Sequence, residues 1–204
     1  ENGLPNLLAH IDIVQQSGVP AVVSINDFVT DDESEHKLIR DAVEATGARC
    51  AVSSHWRYGG EGARELALAV REACAEESTF RFLYELDASH RDRIETIATR
   101  VYGAEGVSYS PEAEKRLAAV EEDANAKGLG ACMVKTQYSL SHDPELKGRP
   151  TGWTLPVSDI LEFRGAGLIV PVAGDIKLMP GTGSDPSFRH IDVDVSTGRI
   201  TGLA

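Results

Sequence analysis

Apolar positions in the first part of the chain alternate between a helical and a strand period. Leu4, Leu7, Leu8, Ile11 and Val14 recur at helical spacing up to Gly18, which predicts a helix stopped by glycine. Pro20 to Asn26 is a β-branched run and predicts a buried strand. Leu38, Ile39, Ala42 and Val43 form the next apolar face. Asp32, three residues ahead of Glu35, opens that face and Gly47 closes it, the signature of a capped helix. Arg49 to Ser53 predicts a second strand, and Glu61-Gly62 opens a third helix with Leu66, Ala69, Val70 and Ala73 inward. Such alternation points to a parallel sheet with covering helices.

From about Thr79 the alternation stops. Ser89 to Tyr102 and Ser110 to Lys127 predict consecutive helices, the second with Ser110 as cap and Pro111 in its first turn. Gly128 to Lys135 predicts a short strand, and Thr136 to Pro150 is polar and rich in turn formers. Further strands are predicted at Trp153 to Val157, Gly167 to Val172 and Ile191 to Val195, the last pairing with Arg199 to Leu203 across Ser-Thr-Gly. The boundary falls between Phe82 and Asp87. The expected fold class is α/β: the end of a parallel-sheet core over 1–84, then a smaller α+β carboxyl-terminal domain over 85–204.

Composition narrows the partners. The 204 residues carry 20 Lys and Arg against 32 Asp and Glu, a formal net charge of −12, which argues against nucleic acid or an anionic membrane. Cys50, Cys74 and Cys132 are odd in number and follow no metal-ligand spacing, so a reducing cytosol is expected and all three read as buried spectators. No apolar run reaches the length of a membrane span. The first residue is Glu1 rather than Met, with a helix already running at Leu4, and the expectation is a piece of a longer protein.

Two strands end in loops that each carry one large ring, Phe28 after the first and Trp56 after the second. In parallel sheets such loops face a common crevice, and a flat heteroaromatic ring, pterin or purine, can stack between them. Rings at loop bases are more often core. The polar neighbours Asn26-Asp27 and His55-Arg57 favour a ligand here. Gly59-Gly60-Glu61-Gly62 precedes a helix and offers backbone N–H groups to an anion, although a glycine turn before a helix is common. No Gly-x-x-x-x-Gly-Lys-Ser/Thr occurs in the chain, so ATP chemistry on these residues alone lacks its lysine and its magnesium-binding hydroxyl. Lys135 to Ser141 either grips a carboxylate or phosphate or is a loop held by its own hydrogen bonds. Met179 to Gly183 reads as a rigid turn. His55, His142 and His190 show no zinc spacing, and Ser53 and Ser54 have no identifiable base.

Five stretches together resemble one family. Ser24 to Asp31, His55 to Gly62, Ile97 to Val107, Met133 to Ser141 and Gly174 to Gly181 are similar, in order, to the carboxyl-terminal part of formate–tetrahydrofolate ligase. The resemblance implies a cytoplasmic enzyme of one-carbon metabolism with a P-loop NTPase-like core, commonly a homotetramer. It uses ATP with Mg2+ to convert formate into formyl phosphate, passes the formyl group to N10 of tetrahydrofolate, and is activated by a monovalent cation. The family's pterin clamp matches Phe28 and Trp56, while its P-loop and formyl phosphate contacts lie upstream of Glu1. The chain departs from the family pattern at His55, Arg57-Tyr58, Ser158 and Thr182-Gly183. The expected binding residues are Asn26, Phe28, Asp31, Trp56, Gly59 and Gly60, with no catalytic residue and no metal ligand assigned. The rival expectation is a stand-alone, non-catalytic folate-binding or interaction module.

Overall fold

The computed structural model describes residues 1–174, 176 and 185–202. The Met179 to Gly183 turn and Leu203 lie outside them. The chain opens with α1 (Leu4–Gln16), β1 (Val22–Asn26), α2 (Glu33–Glu44) and β2 (Arg49–Ser53), followed by a single turn α3 (His55–Tyr58), a 3-10 turn Glu61–Ala63 and α4 (Arg64–Cys74). β1 and β2 pair in parallel with Asn26 opposite Ser53, so the strands end side by side. Ile11, Ala21, Val43 and Ala48 are buried together, with Leu7, Leu8, Val23 and Ile39 packed against them. The predicted faces of α1 and α2 therefore converge on the strands, although Val14, Leu38 and Val70 stay exposed.

The start of α2 follows from its sequence. The Asp32 carboxylate accepts the Ser34 N–H at 2.8 Å, and the Glu35 carboxylate accepts the Asp32 N–H at 3.2 Å, a reciprocal box that satisfies donors the helix itself cannot. Hydrogen bonds from Ser34, side chain first and then backbone, hold the Asp32 carboxyl below its ordinary range. Because its folded pKa is depressed, the cap is at full strength above the unfolded carboxylate pKa and is lost as pH falls through the lower folded value. The Ser34 amide resonance is expected to titrate with a midpoint below the usual Asp value and to stop titrating in Asp32→Ala. A midpoint at or above the usual value would contradict this cap.

The second half contains α5 (His90–Thr96), which runs on as a π-helical turn over Ile97–Val101, then β3 (Gly106–Tyr109), α6 (Pro111–Glu122), β4 (Gly130–Ala131), β5 (Thr154–Phe163), a 3-10 turn Arg164–Ala166 and β6 (Leu168–Ala173). The sheet order is β3-β5-β6-β4, with β3 parallel to β5, β5 antiparallel to β6, and β6 parallel to β4. The fold is thus α/β with a mixed sheet, packed on Ile94, Leu117, Val120, Leu155, Ile160 and Ile169. β7 (Asp192–Asp194) and β8 (Arg199–Thr201) form an antiparallel pair.

Four expectations are corrected. β3 was not expected, and it exists because β5 offers it a parallel partner from Gly106 opposite Thr154 to Tyr109 opposite Val157. α6 ends at Glu122 rather than near Lys127, since Asp123 leaves the helical region and its carboxylate takes the Asn125 N–H at 2.9 Å. The strand expected over Gly128 to Lys135 shrinks to Gly130–Ala131 and one bridge, Val134 to Val172. Cys74 and Cys132 are exposed, not buried; only Cys50 is partly covered. Among the described residues no helix is long and apolar enough to cross a membrane.

Candidate functional site

The register of β1 and β2 sets the geometry at their carboxyl ends. The Asp27 N–H continues the ladder by donating to Ser53 O at 3.0 Å. One residue on, Phe28 points outward, and α3 begins just beyond Ser53 and presents Trp56. The two rings stack with centroids 6.3 Å apart and planes inclined by 24°. Phe28 is 57% and Trp56 53% exposed, which excludes the core reading of both. Two van der Waals contacts of about 3.5–4.0 Å place rings that flank a flat ligand roughly 7–8 Å apart. The observed pair is a little narrower than that, and a small outward movement of either ring admits one.

Backbone contacts hold each ring. The Trp56 indole N–H donates to Asp27 O at 2.5 Å. The Phe28 N–H donates to the Asp31 carboxylate at 2.9 Å, and the Asp31 N–H returns to Phe28 O at 3.0 Å. Asp31 thus turns its carboxylate toward the loop that carries Phe28. Asn26 and Asp31 line a cavity of about 600 Å³ with Glu35, His36 and Ile39, on the α2 side of the strand ends.

The glycines divide differently from their expected role. Gly59 ends α3 with φ +58 and gives its N–H to His55 O at 2.8 Å, so that donor is already used. Gly60 has an ordinary φ of −60 and open space where a Cβ would stand. The tight position is Gly62, whose Cβ would lie 2.6 Å from the carbonyl carbon and oxygen of Ser54 and 2.9 Å from the His55 N. Gly62→Ala is expected to displace the start of α3, and Trp56 with it, at a cost of about 1–3 kcal/mol. Gly60→Ala is expected to stay within about 0.5 kcal/mol of the parent. Equal melting temperatures for the two variants would remove the packing role of Gly62.

The Lys135 ammonium is taken up by carbonyls of its own loop. Its Nζ donates to Thr136 O at 3.0 Å and to Ser139 O, and lies 4.6 Å from the Tyr102 ring centre. Burial pushes its pKa down. With Ser139 and the buried Ser141 bonded at 2.9 Å, the segment is a loop held by its own bonds. It borders a cavity of about 1320 Å³ lined by Tyr109, Gln137, Tyr138, His142 and Ser158, none of which belongs to the ring-bearing loops. Among the described residues one group has metal-ligating atoms close together, Asp27, Asp31 and His36, all within 4.8 Å of one another. No spacing along the sequence announces that group, because the loop folds back on the first turn of α2.

A family model described as formate–tetrahydrofolate ligase matches residues 1–204. The chain is 56% identical over 203 residues to the formate–tetrahydrofolate ligase of Desulfotalea psychrophila and 58% identical to that of Desulfovibrio desulfuricans. A third relative, the ligase of Dehalococcoides mccartyi, is 57% identical. Each match covers all of this chain but only 36%, 34% and 34% of the respective relative, so the chain spans about a third of their length. With a match along its whole length and identities above half, the chain belongs to the formate–tetrahydrofolate ligase family.

Proposed function

We propose that these residues supply the pterin-stacking face of the tetrahydrofolate site in an enzyme that makes 10-formyltetrahydrofolate from formate at the expense of ATP. The observation that carries this reading is the exposed, near-parallel pair of Phe28 and Trp56, held at two adjacent strand ends. A pterin is flat, polar at its edge and uncharged, and a two-sided stack binds it without a cation. In this reading Asn26, at the end of β1, supplies an amide to that polar edge.

The contribution to catalysis is positioning. Holding the ring system fixes N10 relative to the activated formyl group, and such orientation is a large part of what a transfer enzyme provides. The chain contains no P-loop sequence, so ATP, its Mg2+ and formyl phosphate are bound by residues elsewhere in the complete protein. These 204 residues alone are inactive in this reading, with 1–84 closing a P-loop NTPase-like core and 85–204 forming the carboxyl-terminal domain. The test is a ligase assay on the complete enzyme carrying Phe28→Ala or Trp56→Ala. A rise in KM for tetrahydrofolate, without a matching rise for ATP or formate, is expected; unchanged tetrahydrofolate kinetics in both variants would sink the clamp.

A further inference from the structure

His36 sits in the first turn of α2 with its side chain only 12% exposed, and its Nε2 is shielded from solvent without a hydrogen-bond partner. That nitrogen faces two carboxylates, Asp27 Oδ1 at 3.7 Å and Asp31 Oδ2 at 3.8 Å. Each of those residues holds one ring. The same Asp31 Oδ2 accepts the Phe28 N–H at 2.9 Å, and the Asp27 carbonyl accepts the Trp56 indole at 2.5 Å. One imidazole therefore stands behind both supports of the slot.

We infer that His36 is a positioning residue for tetrahydrofolate, setting the gap between Phe28 and Trp56 through Asp31 and Asp27. The inference rests on the clamp reading above. It follows from the way the loop is built. Residues 27–31 make a short excursion between β1 and α2, and without a donor between them the two carboxylates repel each other across a half-buried space. Repulsion would swing the Asp31 carboxylate away from the Phe28 N–H and turn the Asp27 side chain outward, which loosens the loop that sets the separation of the rings. With His36 in place, α2 fixes the excursion, and the capping box at Asp32 fixes α2. His36 itself is largely covered, and its ring nitrogen faces the two acids rather than the rings.

The test is equilibrium binding of tetrahydrofolate to the complete enzyme, in the presence of EDTA and absence of ATP, for a double-mutant cycle of His36→Leu and Trp56→Ala with His36→Gln as rescue. His36→Leu keeps a similar volume and removes the donor. It is expected to weaken binding about two- to fivefold, in line with the loss of one polar contact longer than a hydrogen bond, while ATP affinity stays unchanged. His36→Gln returns a donor near the place of Nε2 and is expected to recover most of the loss. In the Trp56→Ala background, His36→Leu is expected to add little, because both changes act on one slot.

Parent-like binding by His36→Leu, or losses that simply add in the double variant, would overturn the inference while leaving the clamp standing. If the parent binds weakly in EDTA and recovers with added Mn2+, and His36→Gln does not, the three side chains are a metal site and the positioning role is overturned. Unchanged binding in Trp56→Ala alone would instead remove the clamp itself.

Discussion

Trp56→Ala in the complete enzyme is expected to weaken tetrahydrofolate binding about 5- to 150-fold. Stacking a base-like ring on one aromatic side chain is worth about 1–3 kcal/mol, and each 1.4 kcal/mol is a factor of about ten in affinity. The effect on folding should be much smaller, because Trp56 is 53% exposed and its N–H bonds a carbonyl at an exposed site. That contrast is the diagnostic part. A core tryptophan loses stability first and binding only as a consequence, whereas a ligand-stacking tryptophan loses binding at nearly constant stability. Trp56→Phe keeps a stacking face but gives up the bond to Asp27 O, and is expected to fall between parent and alanine. If Trp56→Ala instead lowers the melting temperature strongly and leaves KM for tetrahydrofolate alone, the ring pair is a structural contact.

The parts of this arrangement that the sequence announced are those governed by local rules. A β-branched run ending in Asn26, the Asp32 to Glu35 box, Ser110-Pro111 and the two ring-bearing loops are each decided by residues within a few positions of one another, and all are present. What local patterning missed depends on partners far along the chain. β3 has no alternation of its own and becomes a strand only against Thr154 to Val157. α3 is a single turn, too short to leave a helical period at His55–Tyr58. The sequence offered the whole run Gly59 to Gly62 as an anion cradle and counted Gly59 and Gly60 among the binding residues, whereas packing against Ser54 makes Gly62 the restrictive one. His36 could not be singled out either. Its relation to Asp27 and Asp31 arises because the first turn of α2 lies beneath the loop that precedes it, and no familiar spacing encodes that return.

Arg93 is the sharpest case of a residue hidden from sequence reading, and Arg93→Met is expected to destabilise the protein by about 3–5 kcal/mol. An arginine inside a helical period reads as surface, yet Arg93 is 3% exposed. Its guanidinium donates to Leu129 O, to Leu86 O at 2.7 Å and to Lys127 O at 2.9 Å, and lies 5.8 Å from the centre of the Tyr84 ring. Among the described residues none of the ion pairs includes it, so the charge is balanced by carbonyl dipoles drawn from two chain segments. Hydrogen bonds from a charged donor are worth about 1.5–3 kcal/mol each, and these three share one group, so their sum overstates the loss. Methionine fills much of the volume but leaves three carbonyls without that donor in a place water reaches poorly. At roughly 2–4 °C per kcal/mol for a chain of this length, the variant should melt about 6–20 °C lower. Lysine keeps the charge without the planar fork, so Arg93→Lys should recover only part of the difference. Because Leu86 belongs to the segment leading into α5 while Lys127 and Leu129 lead into β4, the loss reports how firmly that segment is fastened to the second core. Tetrahydrofolate affinity, measured well below the melting range, is expected to be unchanged, since Arg93 has no contact with the ring-bearing loops. A melting temperature within 2 °C of the parent would mean that water replaces the guanidinium at those carbonyls, and that the burial of Arg93 contributes little to the fold.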